Sequence, residues 1–147
     1  TTAMPFLKIW IHFVWATKNR LPLLTNENRQ LLFTHIKENG IEKGIHIDFV
    51  NGHIDHVHVL LSLNAVQTIA SIAQLIKGES SFWANKNNLF EQKISWQDEY
   101  FAVSVSDSAV NKVREYIKNQ EAHHQKKTFQ QEYDAFMEEY GCYLVKG

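Results

Sequence analysis

Apolar and polar residues alternate through the opening of the chain. In KIWIHFVWAT, Ile9, Ile11, Phe13 and Trp15 fall on one side and Lys8, Trp10, His12 and Val14 on the other. That period of two predicts a strand. TNENRQLLFTHIKENG reads as a helix, with Thr25 as its N-cap and Gly40 as its stop. IHIDFV alternates again, with Ile45, Ile47 and Phe49 against His46, Asp48 and Val50, and Asn51-Gly52 behind it is a strong hairpin signal. A third strand runs from His56 to Leu63. AVQTIASIAQLIKGESSFWANK sets Ile69, Ile72, Ile76 and Trp83 at helical spacing, and YFAVSVS is a fourth strand. Ser106 or Asp107 can cap a further helix that buries Val110, Val113 and Ile117. A last helix starts at Thr128, whose spacing to Gln131 is that of a capping box. Phe129, Tyr133, Phe136 and Tyr140 form its apolar stripe and Gly141 ends it.

The order β-α-β-β-α-β predicts an α+β fold, a ferredoxin-like antiparallel sheet with helices on one face. Residues 1–147 are expected to form a single domain. Its core sheet spans about 5–105, a helix bearing Tyr116 about 107–126, and a terminal helix about 128–140. Hydrophobic residues make up 44% of the chain, enough for a real core at this length. The single Cys142 excludes an intramolecular disulfide and points to a reducing, cytoplasmic compartment. No apolar run approaches a membrane span, and TTAMPFLK, with Met4 read as the natural start, carries no signal-peptide pattern.

Net charge is −1 with His neutral, which counts against a broad basic DNA-binding face. The distribution is uneven. Lys112, Arg114, Lys118, Lys126 and Lys127 meet only Glu115 and Glu121 in one stretch, and His123 and His124 lie among them. Arg114, Lys118, Lys126 and Lys127 of that stretch, with Lys8, Trp10, His12, Lys18 and Arg20, are the candidates for contact with DNA. Single-strand binding joins basic groups to aromatic stacking surfaces. Trp10 can stack on a base, pack a dimer interface or lie partly buried under a helix.

Candidate chemistry begins in HIDHVHVLLSL. Strand parity puts Val57, Val59 and Leu61 on one face and His56 and His58 together on the other. Two imidazoles on one face can reach a single cation, although an arbitrary H-x-H on a strand is more often two polar residues on a half-exposed face. His53 and Asp55 read as turn residues, with a minor role open to one of them in orienting a ligand histidine. In VREYIKNQEAHH, Tyr116 and Gln120 are four residues apart and share a helical face. An amide oxygen suits Mg²⁺ or Mn²⁺. His124, four residues after Gln120, competes with it as third ligand.

DHVHVLLSL, then a helix, YFAVSVS and VREYIKNQEAHH resemble the HUH single-tyrosine transposases of the smallest bacterial insertion sequences, the IS200-like type. The likeness runs from the first strand to about Phe129. It implies that His56, His58 and Gln120 bind a divalent metal, Mg²⁺ or Mn²⁺, and that Tyr116 is the nucleophile. It implies cleavage and rejoining of single-stranded DNA at hairpin-bearing element ends through a 5′-phosphotyrosine. Homodimers are implied too, with the active site shared between subunits in characterised relatives. Lys112, His123 and His124, or the metal itself, are the candidates for activating Tyr116. The alternatives are an HUH-type nickase or replication initiator, and a domesticated hairpin-binding protein that no longer cuts.

Overall fold

The computed structural model describes residues 7–124, 128, 130–132 and 134–135. Strand β1 (Trp10–Ala16) leads through a 3-10 turn at Lys18–Arg20 to helix α1 (Asn26–Glu42). Strands β2 (His46–Gly52) and β3 (His56–Ser62), helix α2 (Ile69–Lys86) and strand β4 (Phe101–Val105) follow. A second 3-10 turn, Asp107–Ala109, enters α3 (Val110–Lys118), and α4 (Gln120–His124) comes next. The four strands form one antiparallel sheet in the order β2-β3-β1-β4. The fold is α+β and ferredoxin-like, as the pattern predicts.

The alternation in β1 works as expected. Ile11, Phe13 and Trp15 join Val57, Val59 and Leu61 of β3 in the main core. Leu32, Phe33 and Ile36 of α1 and Ile72, Ala73 and Ile76 of α2 cover that face. On the opposite face, Val110 and Ile117 of α3 close on Leu60, with Trp10, Phe49, Val105, Val113 and Tyr116 around them. Burying one such aliphatic side chain contributes about 1.5–3 kcal/mol, so Ile117, fully buried, is a firm anchor for α3. Strand β3 is therefore covered on both sides, and His56 and His58 are buried rather than half exposed.

Several boundaries differ from expectation. Helix α1 passes Gly40 and ends at Glu42, with Lys43 as its C-cap. The residue with the left-handed conformation that stops a helix is Gly44, at φ 85°. Gly40 answers a packing need instead, since a Cβ there would come within 2.2 Å of Ile47 Cδ1. Asn51-Gly52 is not the hairpin turn. Strand β2 continues through both residues, the turn is His53–Asp55, and His53 N–H donates to His56 O at 3.0 Å across it. Gly52 is required there because a Cβ would lie 2.2 Å from the His56 carbonyl oxygen.

The alternation predicted for β2 also breaks. The register with β3 shifts between Ile47 and Phe49, a bulge that reverses the side-chain sense downstream. Ile47 faces the main core, but so does Val50, while Phe49 turns to the α3 side. The helix predicted as one piece over about 107–126 is interrupted at Asn119. The capping box forms: Gln131 N–H donates to Thr128 Oγ1 at 3.2 Å, and Thr128 N–H donates to Gln131 Oε1 at 2.9 Å. Phe129, Tyr133, Phe136, Tyr140 and Gly141 lie outside the described residues, as do Lys126, Lys127 and the side chains of His123 and His124.

The two glycine environments make opposite predictions. Gly52→Ala is expected to destabilise the protein by about 1–3 kcal/mol, because backbone must move. Gly78→Ala, exposed in α2 with open space around its Cα, is expected to stabilise by about 0.5–1 kcal/mol. Urea unfolding of both variants checks the signs.

Candidate active site

Two buried imidazoles form the centre of the site. The rings of His56 and His58 lie with centroids 5.1 Å apart at 74°, and each side chain is fully buried. Each has its Nδ1 held from behind. His56 Nδ1–H donates to Asp55 Oδ1 at 2.8 Å. His58 Nδ1 is 2.8 Å from His12 Nε2 on the neighbouring strand, one proton shared between the two rings. His12 lies diagonally across the β1–β3 ladder from His58, with Leu60 as its direct partner. With the shared proton on His58 Nδ1, both histidines turn an Nε2 lone pair toward one point.

Three further groups meet that point. Gln120 is fully buried, with Oε1 3.0 Å from His56 Nε2 and its amide N–H donating to the Tyr116 carbonyl at 3.4 Å. Glu132 is 5% exposed; its carboxylate reaches His58 Nε2 at 3.2 Å and His56 Nε2 at 3.7 Å. The Tyr116 hydroxyl donates to the same carboxylate. The Tyr116 ring stands edge-on to His12 and His58, at 6.3 and 5.9 Å.

The donor chemistry fits a cation. The proton on His56 Nδ1 leaves Nε2 an acceptor, facing a second acceptor at Gln120 Oε1, with an anionic carboxylate alongside. Converging lone pairs in a buried place repel unless a proton or metal ion lies among them. Two imidazole nitrogens, an amide oxygen and a carboxylate form a set that first-row divalent ions and Mg²⁺ accept. His56, His58 and Glu132 offer ligand atoms within 4.8 Å of one another.

His56, His58, Tyr116 and Gln120, singled out in the sequence, thus come together. His12 is corrected: as a DNA contact it would have to face outward, but it is 2% exposed and faces His58. Its strand parity with the histidine pair was the signal for this. Trp10 is half buried under α3, its ring 5.9 Å from His46. Arg114 is committed to Asp48, with Nε and Nη2 donating at 2.8 and 3.0 Å, and that bond holds its pKa above the ordinary value. Lys8 stands 3.5 Å from Asp107, both exposed. Arg20 donates to Gln130. Lys18, Lys112 and Lys118 are exposed.

Asp55 and Glu132 complete the site. Asp55 takes the orienting role rather than a plain turn role. No local sequence pattern marks Glu132, because its place beside the histidines is a tertiary contact.

A family described as "Transposase IS200 like" matches residues 6–120. The ISDra2 transposase TnpA of Deinococcus radiodurans is 25% identical over 115 residues, covering 74% of this chain and 81% of that protein. Among solved structures, a transposase candidate from Deinococcus radiodurans R1 superposes with a TM-score of 0.63 at 22% identity, covering 82% of this chain and 97% of the other. A REP-associated tyrosine transposase bound to a REP hairpin gives 0.60 at 16% identity, covering 84% and 74%. At these identities the two structures speak for the fold.

Burial first, and His58 second, holds the His12 imidazole well below its ordinary pKa, with Glu132 opposing. In the unfolded chain His12 titrates near about 6.5. Between the folded and unfolded values the unfolded chain binds more protons, so stability present above about pH 6.5 is lost as pH falls below it. The expected slope from this proton is up to about 1.4 kcal/mol per pH unit. Urea melts between pH 7.5 and 5.5 measure it, and His12→Gln should flatten the dependence. An unchanged slope in that variant would remove His12 as its source.

Proposed function

The chain belongs to the IS200-like transposase family, and on that premise we propose that it cuts and rejoins single-stranded DNA at insertion-sequence ends, with Tyr116 as nucleophile. The observation that carries this reading is the meeting of the Tyr116 hydroxyl with His56, His58, Gln120 and Glu132 at one buried point. In the proposed reaction the Tyr116 oxygen attacks the scissile phosphorus. A tyrosyl O–P bond forms, the P–O3′ bond breaks, and the electron pair leaves on the 3′ oxygen. A later 3′-hydroxyl reverses the exchange, so joining needs no nucleotide cofactor.

His56 Nε2, His58 Nε2, Gln120 Oε1 and the Glu132 carboxylate would hold a divalent cation, Mg²⁺ or Mn²⁺. When bound, such an ion supplies positive charge for the phosphate oxygens and the departing 3′ oxygen. Free phenol has a pKa of about 10, so the tyrosine needs help to lose its proton. Glu132 is the group that touches the hydroxyl, and it takes the place proposed for Lys112, which is exposed on α3. His12 and Asp55 fix the directions of the two imidazoles.

Hairpin-ended single-stranded DNA is the proposed partner, in keeping with the hairpin-bound neighbour, and a homodimer is the proposed assembly. Because Tyr116 meets the histidine pair of its own chain, each subunit is proposed to carry a whole site.

Labelled single-stranded hairpin DNA incubated with the protein and Mg²⁺ or Mn²⁺ should give an adduct that survives SDS, and Tyr116→Phe should give none. Equal adduct from that variant would end the proposal. Asp55→Asn is expected to weaken Mn²⁺ binding by about 10–100-fold, read by calorimetry without DNA.

A further inference from the structure

We infer that strand β2 carries a positioning device for this site: Asp48 and Asn51 clamp α3 on both sides of Tyr116 and set the helix break that delivers Gln120. The consequences for catalysis rest on the function proposed above; the clamp itself does not.

Residues 48 and 51 are three apart, so strict alternation would put them on opposite faces of the sheet. The bulge between Ile47 and Phe49 removes that obstacle. It sends Val50 to the main core and turns Phe49 and Asn51 toward α3. Asp48 reaches the same side. Bulges commonly re-aim side chains beside functional sites, and this one gives the edge strand two polar groups facing one helix.

The two groups hold different ends. Asp48 takes a two-pronged bond from Arg114, at 2.8 and 3.0 Å, two residues before Tyr116. Arg114 Nη1 also donates to Asn111 Oδ1 at 2.6 Å, which fixes the fork along the helix. Beyond the tyrosine, the Asn51 amide donates to the Ile117 carbonyl at 3.0 Å and to the Lys118 carbonyl at 3.2 Å. Helix ends leave carbonyls in need of donors. Here Glu115 O receives Asn119 N–H at 3.1 Å, and Tyr116 O receives the Gln120 side-chain amide at 3.4 Å. The last four carbonyls of α3 are thereby served, and the chain leaves helical geometry at Asn119 (φ −95°, ψ 25°). Gln120 then presents Oε1 to His56.

Apolar contacts through Val110 and Ile117 keep α3 on the sheet but are non-directional. The Asp48–Arg114 pair is partly exposed, so its weight in global stability is small. What the clamp adds is register along the helix axis. A misplacement of about 1 Å at a reacting group can cost about 10²-fold in rate.

The test uses Asn51→Asp, which keeps the shape and removes the donor, and Asp48→Asn, with Asp48→Glu as the conservative control. Amide hydrogen exchange across 110–124 is read in the full chain without DNA or metal. Both disruptive variants should exchange at least tenfold faster there, with α1 and α2 unchanged, and Asp48→Glu should stay near the parent. Asn51→Asp should also weaken Mn²⁺ binding by about tenfold. Asp48→Asn should lower the maximal adduct rate by up to about 10²-fold with little change in apparent KM. If Asn51→Asp does not fold, Asn51→Ala replaces it with the same expectation. Exchange within twofold of the parent in both disruptive variants overturns the clamp, even if the parent cuts DNA. Faster local exchange in a protein whose parent forms no adduct upholds the clamp and rejects the proposed reaction.

Discussion

Two imidazoles buried side by side set the terms for the rest of this structure. A ring nitrogen withdrawn from water needs a partner, and an unmatched one is costly. His56 and His58 together present four such atoms with no exposure. Asp55 answers one, His12 another, and Gln120 and Glu132 approach the remaining two. Cover on both faces of β3 is what makes those partners necessary and fixes them. An open outer face would let water serve the histidines and scatter their orientations. Helix α3 closes that face, and the segment carrying Glu132 reaches the same point. Residues separated by more than a hundred positions, from His12 to Glu132, are thus tied to one pair of rings.

Coverage by α3 has an apolar and a polar part with different jobs. Ile117 and Val110 supply the attraction against Leu60, an attraction that tolerates sliding. Arg114 and the carbonyls at the end of the helix meet fixed partners on β2, and hydrogen bonds have preferred lengths and directions. The division would suit a helix that, on the proposed function, has to bring the Tyr116 hydroxyl to a set place. It also ties a feature of the far edge of the sheet, the bulge near Asp48, to the tyrosine on the helix.

Much of the fold was legible because it rests on periodicity. Strand parity sorted His56 and His58 from His53, and helical spacing joined Tyr116 to Gln120. The misses have local physical causes. Asn51-Gly52 has the composition of a tight turn, but the Asn51 amide is engaged by α3 and Gly52 is set by the nearness of the His56 carbonyl. Gly40 has the look of a helix stop, yet its missing side chain makes room for Ile47. The bulge leaves no mark in IHIDFV, since both readings of its alternation are plausible until β3 fixes the register. Glu132 was out of reach for another reason. Its place is a matter of tertiary return, and its neighbours in sequence, Gln131 and Asp134, are exposed polar residues.

The internal pairing of charges bears on the proposed substrate. In a chain of net charge −1, affinity for a phosphate backbone depends on cations that remain turned outward. Arg114 is engaged by Asp48, and Lys8 stands beside Asp107. Lys18 and Lys118 remain exposed among the candidates within the described residues, a narrower set than the sequence suggested. Each phosphate contact steepens the salt dependence of binding by about one, so few contacts mean weak non-specific affinity. Discrimination would then have to come from the shape of a folded DNA end, with the buried site acting only on a strand already held. On the function proposed above, the nucleophile, its proton acceptor and the metal-binding groups would all belong to one buried cluster, an arrangement suited to that order of events because nothing in it depends on a strong general attraction to DNA.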